Sequence, residues 1–177
     1  GILTELRFEP IPTPGVAIFE YRWPARDAVE VIYVWQRWAP VAPDNVAASV
    51  VLGTPDDPAD PGAVEVFGTV VGDRAEAEDV LEALLPRITA EPISAEVSTP
   101  SYLDAQEHWA HRAGESIVDE LPPATRGHHE IKSDFFERPL TRQALAALVA
   151  HVVSDRAPGQ SRELDFSPWG GRLQQAQ

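Results

Sequence analysis

Residues 64–88, VEVFGTVVGDRAEAEDVLEALLPRI, change from the periodicity of a strand to that of a helix part-way along. Residues 64–71 are rich in β-branched side chains, which predicts a strand. Asp73 is a suitable N-cap, and the acidic residues after it lie where a helix dipole favours negative charge. The apolar residues that follow recur at helical spacing, at Ala77, Val80, Leu81, Leu84 and Leu85. The stretch therefore predicts a strand followed directly by an amphipathic helix.

The sequence on either side of this stretch extends the pattern. Residues 46–52 are predicted as a strand of small and β-branched side chains. A loop rich in proline, glycine and aspartate joins this strand to the one at 64–71. Residues 16–21 are predicted as an earlier strand, and the tryptophan-rich stretch 23–40 as a helix bounded by prolines. Residues 93–97 are predicted as a short final strand. The resulting order, βαββαβ, is that of a split βαβ, ferredoxin-like unit.

The rest of the chain predicts further elements around this core. They are a strand at 2–8, a short helix from Tyr102, a strand at 128–136, a helix at 140–155 and a strand at 159–171. We therefore predict one α+β domain with a mainly antiparallel sheet of about seven strands and helices on one face. It consists of a ferredoxin-like βαββαβ core and a βαβ extension. The other sheet face would meet water, a partner or another domain.

Composition excludes several classes of function. The chain has 177 residues, enough for one ordinary domain, and a formal net charge of −14. Nucleic-acid binding requires clustered lysine and arginine, whereas Lys132 is the only lysine, so we expect neither nucleic acid nor a membrane as a partner. The absence of cysteine excludes disulfides and cysteine nucleophiles. No signal peptide or long apolar run is visible, so the cytoplasm is the default expected location.

Histidines are the first candidates for chemistry. His108 and His111 stand three apart in HWAH, and on a helix their imidazoles could share a face that binds zinc or iron. The more ordinary interpretation is a pair of solvent-facing or locally hydrogen-bonded histidines, because no further ligand stands at a typical distance. The sequence contains no Gly-x-Gly-x-x-Gly, P-loop or Gly-x-Ser-x-Gly motif.

The end of the chain supplies the second group of candidates. Trp169 stands beside Gly170 and Gly171, where missing side chains allow either the close approach of a ligand or the packing of the indole. Lys132 lies in a strand-like run, where it would face either a ligand or an acidic neighbour. From the residues alone, both interpretations of each position stay open.

Several stretches, taken in order, resemble the berberine-bridge-enzyme-like flavin oxidases. GILTELRFEPIP (1–12) resembles the segment that closes their FAD-binding domain, and WQRWAPVAPDNVAASVVLG (35–53) resembles a helix-to-strand junction of their substrate domain. Three further stretches resemble later elements of that domain: PSYLDAQ (100–106), KSDFFERPLTRQALAALVAH (132–151) and SPWGGRL (167–173). The resemblance covers nearly the whole chain.

The resemblance implies a division of the chain and a function. Residues 1–14 would be the end of an otherwise absent FAD-binding domain and its connection, and residues 15–177 would be the substrate-binding domain. This implies an internal piece of a longer protein, which would also explain Gly rather than Met at position 1. The parent would transfer a hydride from a hydroxyl- or amine-bearing small molecule to FAD, and the FAD would be bound mainly by the absent domain. The chain would be inactive alone.

The resemblance also implies substrate-binding residues, and other functions are conceivable. The substrate would be contacted by Tyr102, Gln106, Lys132, Trp169, Gly170 and Gly171. The resemblance does not identify a catalytic base in this chain or the substrate. The alternative is a stand-alone ferredoxin-like module that binds a small molecule or forms a homodimer through its open sheet face, without flavin. A histidine-based metalloenzyme ranks last.

Overall fold

The computed structural model describes residues 4–9, 12, 15–112 and 130–169, which form an antiparallel sheet of five strands with four α-helices. The strands are β1 (Val16–Pro24), β2 (Val46–Thr54), β3 (Ala63–Val71), β4 (Ser94–Ser98) and β5 (Arg162–Phe166). The helices are α1 (Ala28–Trp38), α2 (Arg74–Glu82), α3 (Tyr102–Arg112) and α4 (Arg142–Val153). The strand order across the sheet is β4-β1-β3-β2-β5.

The predicted βαββαβ order is confirmed for β1 to β4. β2 and β3 form the predicted hairpin, with Leu52 opposite Val64, and β1 pairs antiparallel with both β3 and β4. The predicted N-cap of α2 is also present. Asp73 accepts a hydrogen bond from the Glu76 N–H, and the Glu76 carboxylate accepts one from the Asp73 N–H, which together form a capping box.

The prediction of about seven strands is wrong. Residues 4–9 and 130–136 are irregular, although their side chains alternate as in a strand, and the remainder of those two predicted strands lies outside the described residues. Alternation permits a strand, but a strand forms only where a neighbour accepts its backbone hydrogen bonds. β5 is shorter than predicted at both ends; it ends at Phe166, close to Pro168, which has no N–H to donate. Within the described residues, the predicted βαβ extension therefore consists of α4 and β5.

The main hydrophobic core lies between one face of the sheet and helices α1, α2 and α4. Side chains that point to this face from β1 include Phe19 and Trp23, which are 0 % and 1 % exposed. Trp35 of α1 and Leu145 of α4 are buried against them. This arrangement agrees with the predicted helical layer. No helix in the described ranges is both long and apolar enough to cross a bilayer.

The prediction that the helices share one face is wrong for α3. A separate small cluster joins Ala105 of α3 to Val16 and Ile18, whose side chains point away from the main core. Helix periodicity identifies an apolar stripe but does not determine which of two sheet faces receives it. α3 therefore partly covers the face that was expected to be open.

Gln36 fixes the chain ahead of α4. Its side chain donates a hydrogen bond to the Leu140 carbonyl (2.9 Å) and accepts one from the Leu140 N–H (2.8 Å). Gln36 is 4 % exposed, so this pair joins α1 to the entry of α4 inside the protein.

Candidate functional site

The sheet face opposite α1, α2 and α4, which we term the second face, carries most of the polar side chains of the sheet. Directly opposed residues of paired strands share a face, so the register defines its members. They include Ile18, Glu20 and Arg22 of β1, Glu65, Phe67 and Thr69 of β3, Ser49 and Val51 of β2, and Asp165 of β5. Carboxylates and hydroxyls thus alternate with apolar groups across the sheet.

α3 covers the β1 and β3 part of the second face. Ala105 is 2 % exposed and packs on the strand side chains beneath it. Trp109 contacts the Phe67 ring, with a distance of 5.6 Å between centroids, and its indole N–H donates to the Thr69 hydroxyl (2.9 Å). Because α3 supplies both an aromatic contact and a hydrogen bond, its position on the sheet is specific.

Arg112, at the end of α3, lies between two carboxylates of the second face. Its guanidinium is 2.7 Å from a carboxylate oxygen of Glu20 and 2.7 Å from one of Glu65. Its Cζ lies 3.9 Å from the centroid of the Phe67 ring, a cation–π arrangement. Burial opposes the charged form, but hydrogen bonds and charge from Glu65 and Glu20 outweigh it and raise the pKa of Arg112. The guanidinium therefore remains charged and links α3 to both strands.

In the part of the chain that the structure describes, the two α3 histidines do not form a metal site with the groups around them. The His108 Nε2 lies 3.3 Å from a carboxylate oxygen of Glu20, and its ring meets Trp109 edge-on at 4.8 Å. Within the described ranges, no three histidine or carboxylate groups are close enough to hold a metal ion. His128 and His129 lie outside those ranges.

The β2 and β5 part of the second face is not covered by α3. The Ser49 and Ser167 hydroxyls lie 3.4 Å apart, and Asp165 stands opposite Val51 in the adjacent register position. Desolvation by its neighbours raises the pKa of the Asp165 carboxyl, although the residue itself remains exposed. Hydroxyls beside a carboxylate can hydrogen-bond a hydroxyl- or amine-bearing ligand.

The residues predicted to bind substrate lie on two parts of the structure. Tyr102 and Gln106 are exposed on α3, over the central strands. Trp169 follows β5, is 61 % exposed and meets the Phe135 ring edge-on at 5.1 Å. Lys132 is exposed, and its ammonium lies 3.0 Å from the Glu130 carboxylate. Of the two interpretations left open for Lys132, the one with an acidic neighbour agrees with this contact.

Gly170 and Gly171 lie outside the described residues, so their predicted role stays a prediction. The cluster that links α3 to the sheet was not predicted. Its members are far apart in sequence: Arg112 is 92 positions from Glu20 and 47 from Glu65. One local signal was available, since charged residues alternate with buried apolar ones in β1 and indicate a polar face.

A cleft of about 310 Å³ lies on the other side of the sheet, near the ends of β1 and α2. It is lined by Tyr21 and Trp23 and by the segment from Leu85 to Pro92. The Trp23 indole N–H donates a hydrogen bond to the Ala90 carbonyl at 3.0 Å, so it is not free to bind a ligand in the cleft. Burial, followed by the charge of Glu78, raises the pKa of the Tyr21 phenol, which keeps it protonated.

No protein-family model matches the chain. An uncharacterized FAD-linked oxidoreductase of Bacillus subtilis (strain 168), YgaK, is 27% identical over 171 residues, which are 97% of this chain and 34% of that protein. The chain thus spans about a third of the length of this curated relative.

Solved structures share the fold at low sequence identity. The grass pollen allergen Phl p 4, described as having glucose dehydrogenase activity, gives a TM-score of 0.64 at 18% identity over 94% of this chain and 33% of that one. A berberine-bridge-enzyme-like protein (number 28) from Arabidopsis thaliana gives 0.61 at 16% identity, over 89% of this chain and 32% of that one. A chitooligosaccharide oxidase gives 0.59 at 17% identity, over 90% and 33%.

The predicted resemblance is confirmed by these matches, in sequence through the bacterial FAD-linked relative and in fold through the solved structures. The chain is similar in sequence to an FAD-linked oxidoreductase along 97% of its length, and it shares the fold of about a third of berberine-bridge-enzyme-like proteins and of a chitooligosaccharide oxidase.

Proposed function

We propose that the chain is the substrate-binding portion of an FAD-dependent oxidoreductase. The observation that carries this proposal is the match to an FAD-linked oxidoreductase along 97% of the chain. Residues 15–177 would form the substrate-binding domain, and residues 1–14 would connect it to an FAD-binding domain of the same parent protein. The second face would lie against the substrate, on the side where flavin is held.

The chemistry of the second face fits a substrate better than it fits the diphosphate of FAD. Glu20, Glu65 and Asp165 would repel a diphosphate, and the sequence has no glycine-rich phosphate loop. The hydroxyls of Ser49 and Ser167 and the Asp165 carboxyl instead suit a hydroxyl or amine group. FAD would therefore be held mainly by the other domain.

Flavin, when bound, supplies hydride acceptance, and the chain's own residues would bind and orient the substrate. We retain Tyr102, Gln106, Lys132, Trp169, Gly170 and Gly171 as proposed substrate-binding positions. The first two lie on α3, and Trp169 follows β5. A cytoplasmic location and the lack of activity of the isolated chain stay predictions.

The test compares the isolated chain with the product of the whole parent gene. After incubation with FAD and gel filtration, the isolated chain should elute without flavin, and the whole product should retain it. Hydroxyl- and amine-bearing small molecules should then be screened anaerobically for bleaching of the flavin absorption of the whole product. A parent product that never retains FAD would rule the proposal out.

Variants of the whole product test the face itself. Asp165→Asn should slow flavin reduction by any substrate that the screen identifies, because it removes the carboxylate from the uncovered part of the second face. Asp79→Asn is the matched control, since Asp79 lies exposed on α2, on the other side of the sheet. Equal rates for the two variants would place substrate elsewhere.

A second candidate is a module that forms homodimers without flavin. The observation in its favour is the part of the second face near β2 and β5, which α3 leaves uncovered. Light scattering over a concentration series of the isolated chain should show a monomer–dimer transition if this face self-associates. A monomer at every concentration would count against it.

A further inference from the structure

We propose that α3 is a removable cover of the second face, which detaches as a unit while the sheet and the other three helices stay folded. This inference rests on the packing of α3 and does not depend on the proposed function. In the closed state, described above, α3 shields the β1 and β3 part of the face. In the open state, the face would be continuous from β1 to β5.

The apolar attachment of α3 is small. Ala105 is its only buried residue among the described side chains, and Leu103 and Tyr102 are 67 % and 53 % exposed. By contrast, α1 buries Val31, Ile32 and other side chains in the main core. The free energy of local opening depends largely on the apolar surface that opening exposes, so α3 should open far more readily than α1.

The rest of the attachment consists of the ring contact between Trp109 and Phe67 and of polar groups close to solvent. Arg112 has a side-chain exposure of 28%, and its two partners, Glu20 and Glu65, have 21% and 26%. Such groups regain water when α3 leaves, so breaking their contacts costs less than it would in the main core. Opening would nevertheless leave two carboxylates near each other without their cation, and this repulsion favours the closed state.

Opening would change which groups a ligand meets. The closed state presents Ser49 and Asp165 on the uncovered part of the face. The open state would add Glu65, Phe67 and Thr69 in register beside them. The cover therefore controls how large, and how acidic, the available surface is.

The lack of native cysteine allows a direct test by thiol labelling of single-cysteine variants. Thr69→Cys places a thiol under Trp109, and Val66→Cys places one on the same strand but in the main core, where Val66 is 0 % exposed. Ser49→Cys marks the uncovered part of the second face. In native buffer, labelling should be fastest for Ser49→Cys, slower for Thr69→Cys and slowest for Val66→Cys.

Arg112→Ala supplies the decisive comparison. Added to Thr69→Cys, it should accelerate labelling about tenfold, because it removes the charge-assisted contacts of Arg112 that hold α3 closed; a tenfold change corresponds to about 1.4 kcal/mol. Added to Ser49→Cys, it should leave the rate unchanged. Equal labelling rates for Thr69→Cys and Val66→Cys would show that α3 leaves only when the whole domain unfolds.

Hydrogen exchange on the unmodified chain is an independent measurement, free of any effect of the Thr69 substitution. The amides of α3 should exchange faster than those of α1 and α4. Equal protection of all three helices would overturn the proposal. Neither experiment requires flavin, so their failure would leave the flavin assignment standing, and the absence of flavin from the parent would leave the cover standing.

Discussion

Gln36→Leu should destabilise the fold by releasing the chain ahead of α4. One amide side chain satisfies both the N–H and the carbonyl of Leu140, which is 104 positions away in sequence. Leucine has a similar size and suits a buried site, but it can neither donate to the carbonyl nor accept from the N–H. The substitution therefore removes two hydrogen bonds and preserves most of the packing.

The magnitude follows from the two backbone groups left without partners. Each buried, unsatisfied group costs about 1–3 kcal/mol. Leu140 is only partly buried, so water can reach part of it, and we expect a total loss of about 2–4 kcal/mol. In a domain of this size, each kcal/mol lowers Tm by roughly 2–4 °C, so Tm should fall by about 5–15 °C.

Urea unfolding followed by circular dichroism measures this loss directly. Gln143→Leu is the matched control, because Gln143 is exposed on α4 and its replacement should change stability by no more than about 0.5 kcal/mol. Gln36→Glu keeps the acceptor and can donate only when protonated, so the stability of that variant relative to the unmodified chain should improve as pH falls. If Gln36→Leu unfolds at the same urea concentration as the control, the pair does not hold this segment.

Three further changes test local features by urea unfolding. Gly68→Ala should destabilise the fold by about 3 kcal/mol or more, because a Cβ there would lie 2.1 Å from a backbone oxygen of β2. Gly53→Ala is the control and should be nearly neutral, because its Cβ would meet nothing within 4 Å. Hydrogen bonds from Thr89 lower the pKa of Glu30, so Glu30 stabilises the fold above its unfolded pKa and loses this effect in acid. Glu30→Gln should therefore weaken the fold at neutral pH, with a smaller difference near pH 3. Desolvation raises the pKa of Asp165, so ionisation of this carboxyl costs stability. Asp165→Asn should therefore be more stable relative to the unmodified chain at pH 7 than at pH 3. A stability advantage of Asp165→Asn that shrinks with rising pH would contradict this.

The βαββαβ core could be predicted because its signals are local. The capping box at Asp73 and the hairpin between β2 and β3 are each encoded within a short stretch. Strand number could not be predicted in the same way, because residues 4–8 and 130–136 alternate like strands but do not pair. Whether an alternating segment joins a sheet depends on a distant edge that must accept it, and alternation carries no information about that edge.

The candidate site was less predictable than the fold. The helix at Tyr102 was predicted, but its own sequence does not specify on which face of the sheet it packs. The contacts that decide this come from Arg112 and Trp109, whose partners lie on β1 and β3. Family resemblance predicts that Tyr102 and Gln106 bind substrate, but it gives no spatial relation between them and the residues near β5.

The composition of the second face explains why a cover there can be both specific and removable. An apolar surface over β1 and β3 would hold α3 strongly, but it would also be prone to association whenever α3 left. Here the strands present Glu20 and Glu65, which remain well solvated without α3, and Arg112 matches them only when α3 is docked. Trp109 contacts the Phe67 ring and donates a hydrogen bond to Thr69, and these contacts fix the position of α3 along the strands. Charge thus fixes where α3 binds, and the small apolar contact limits how strongly it is held.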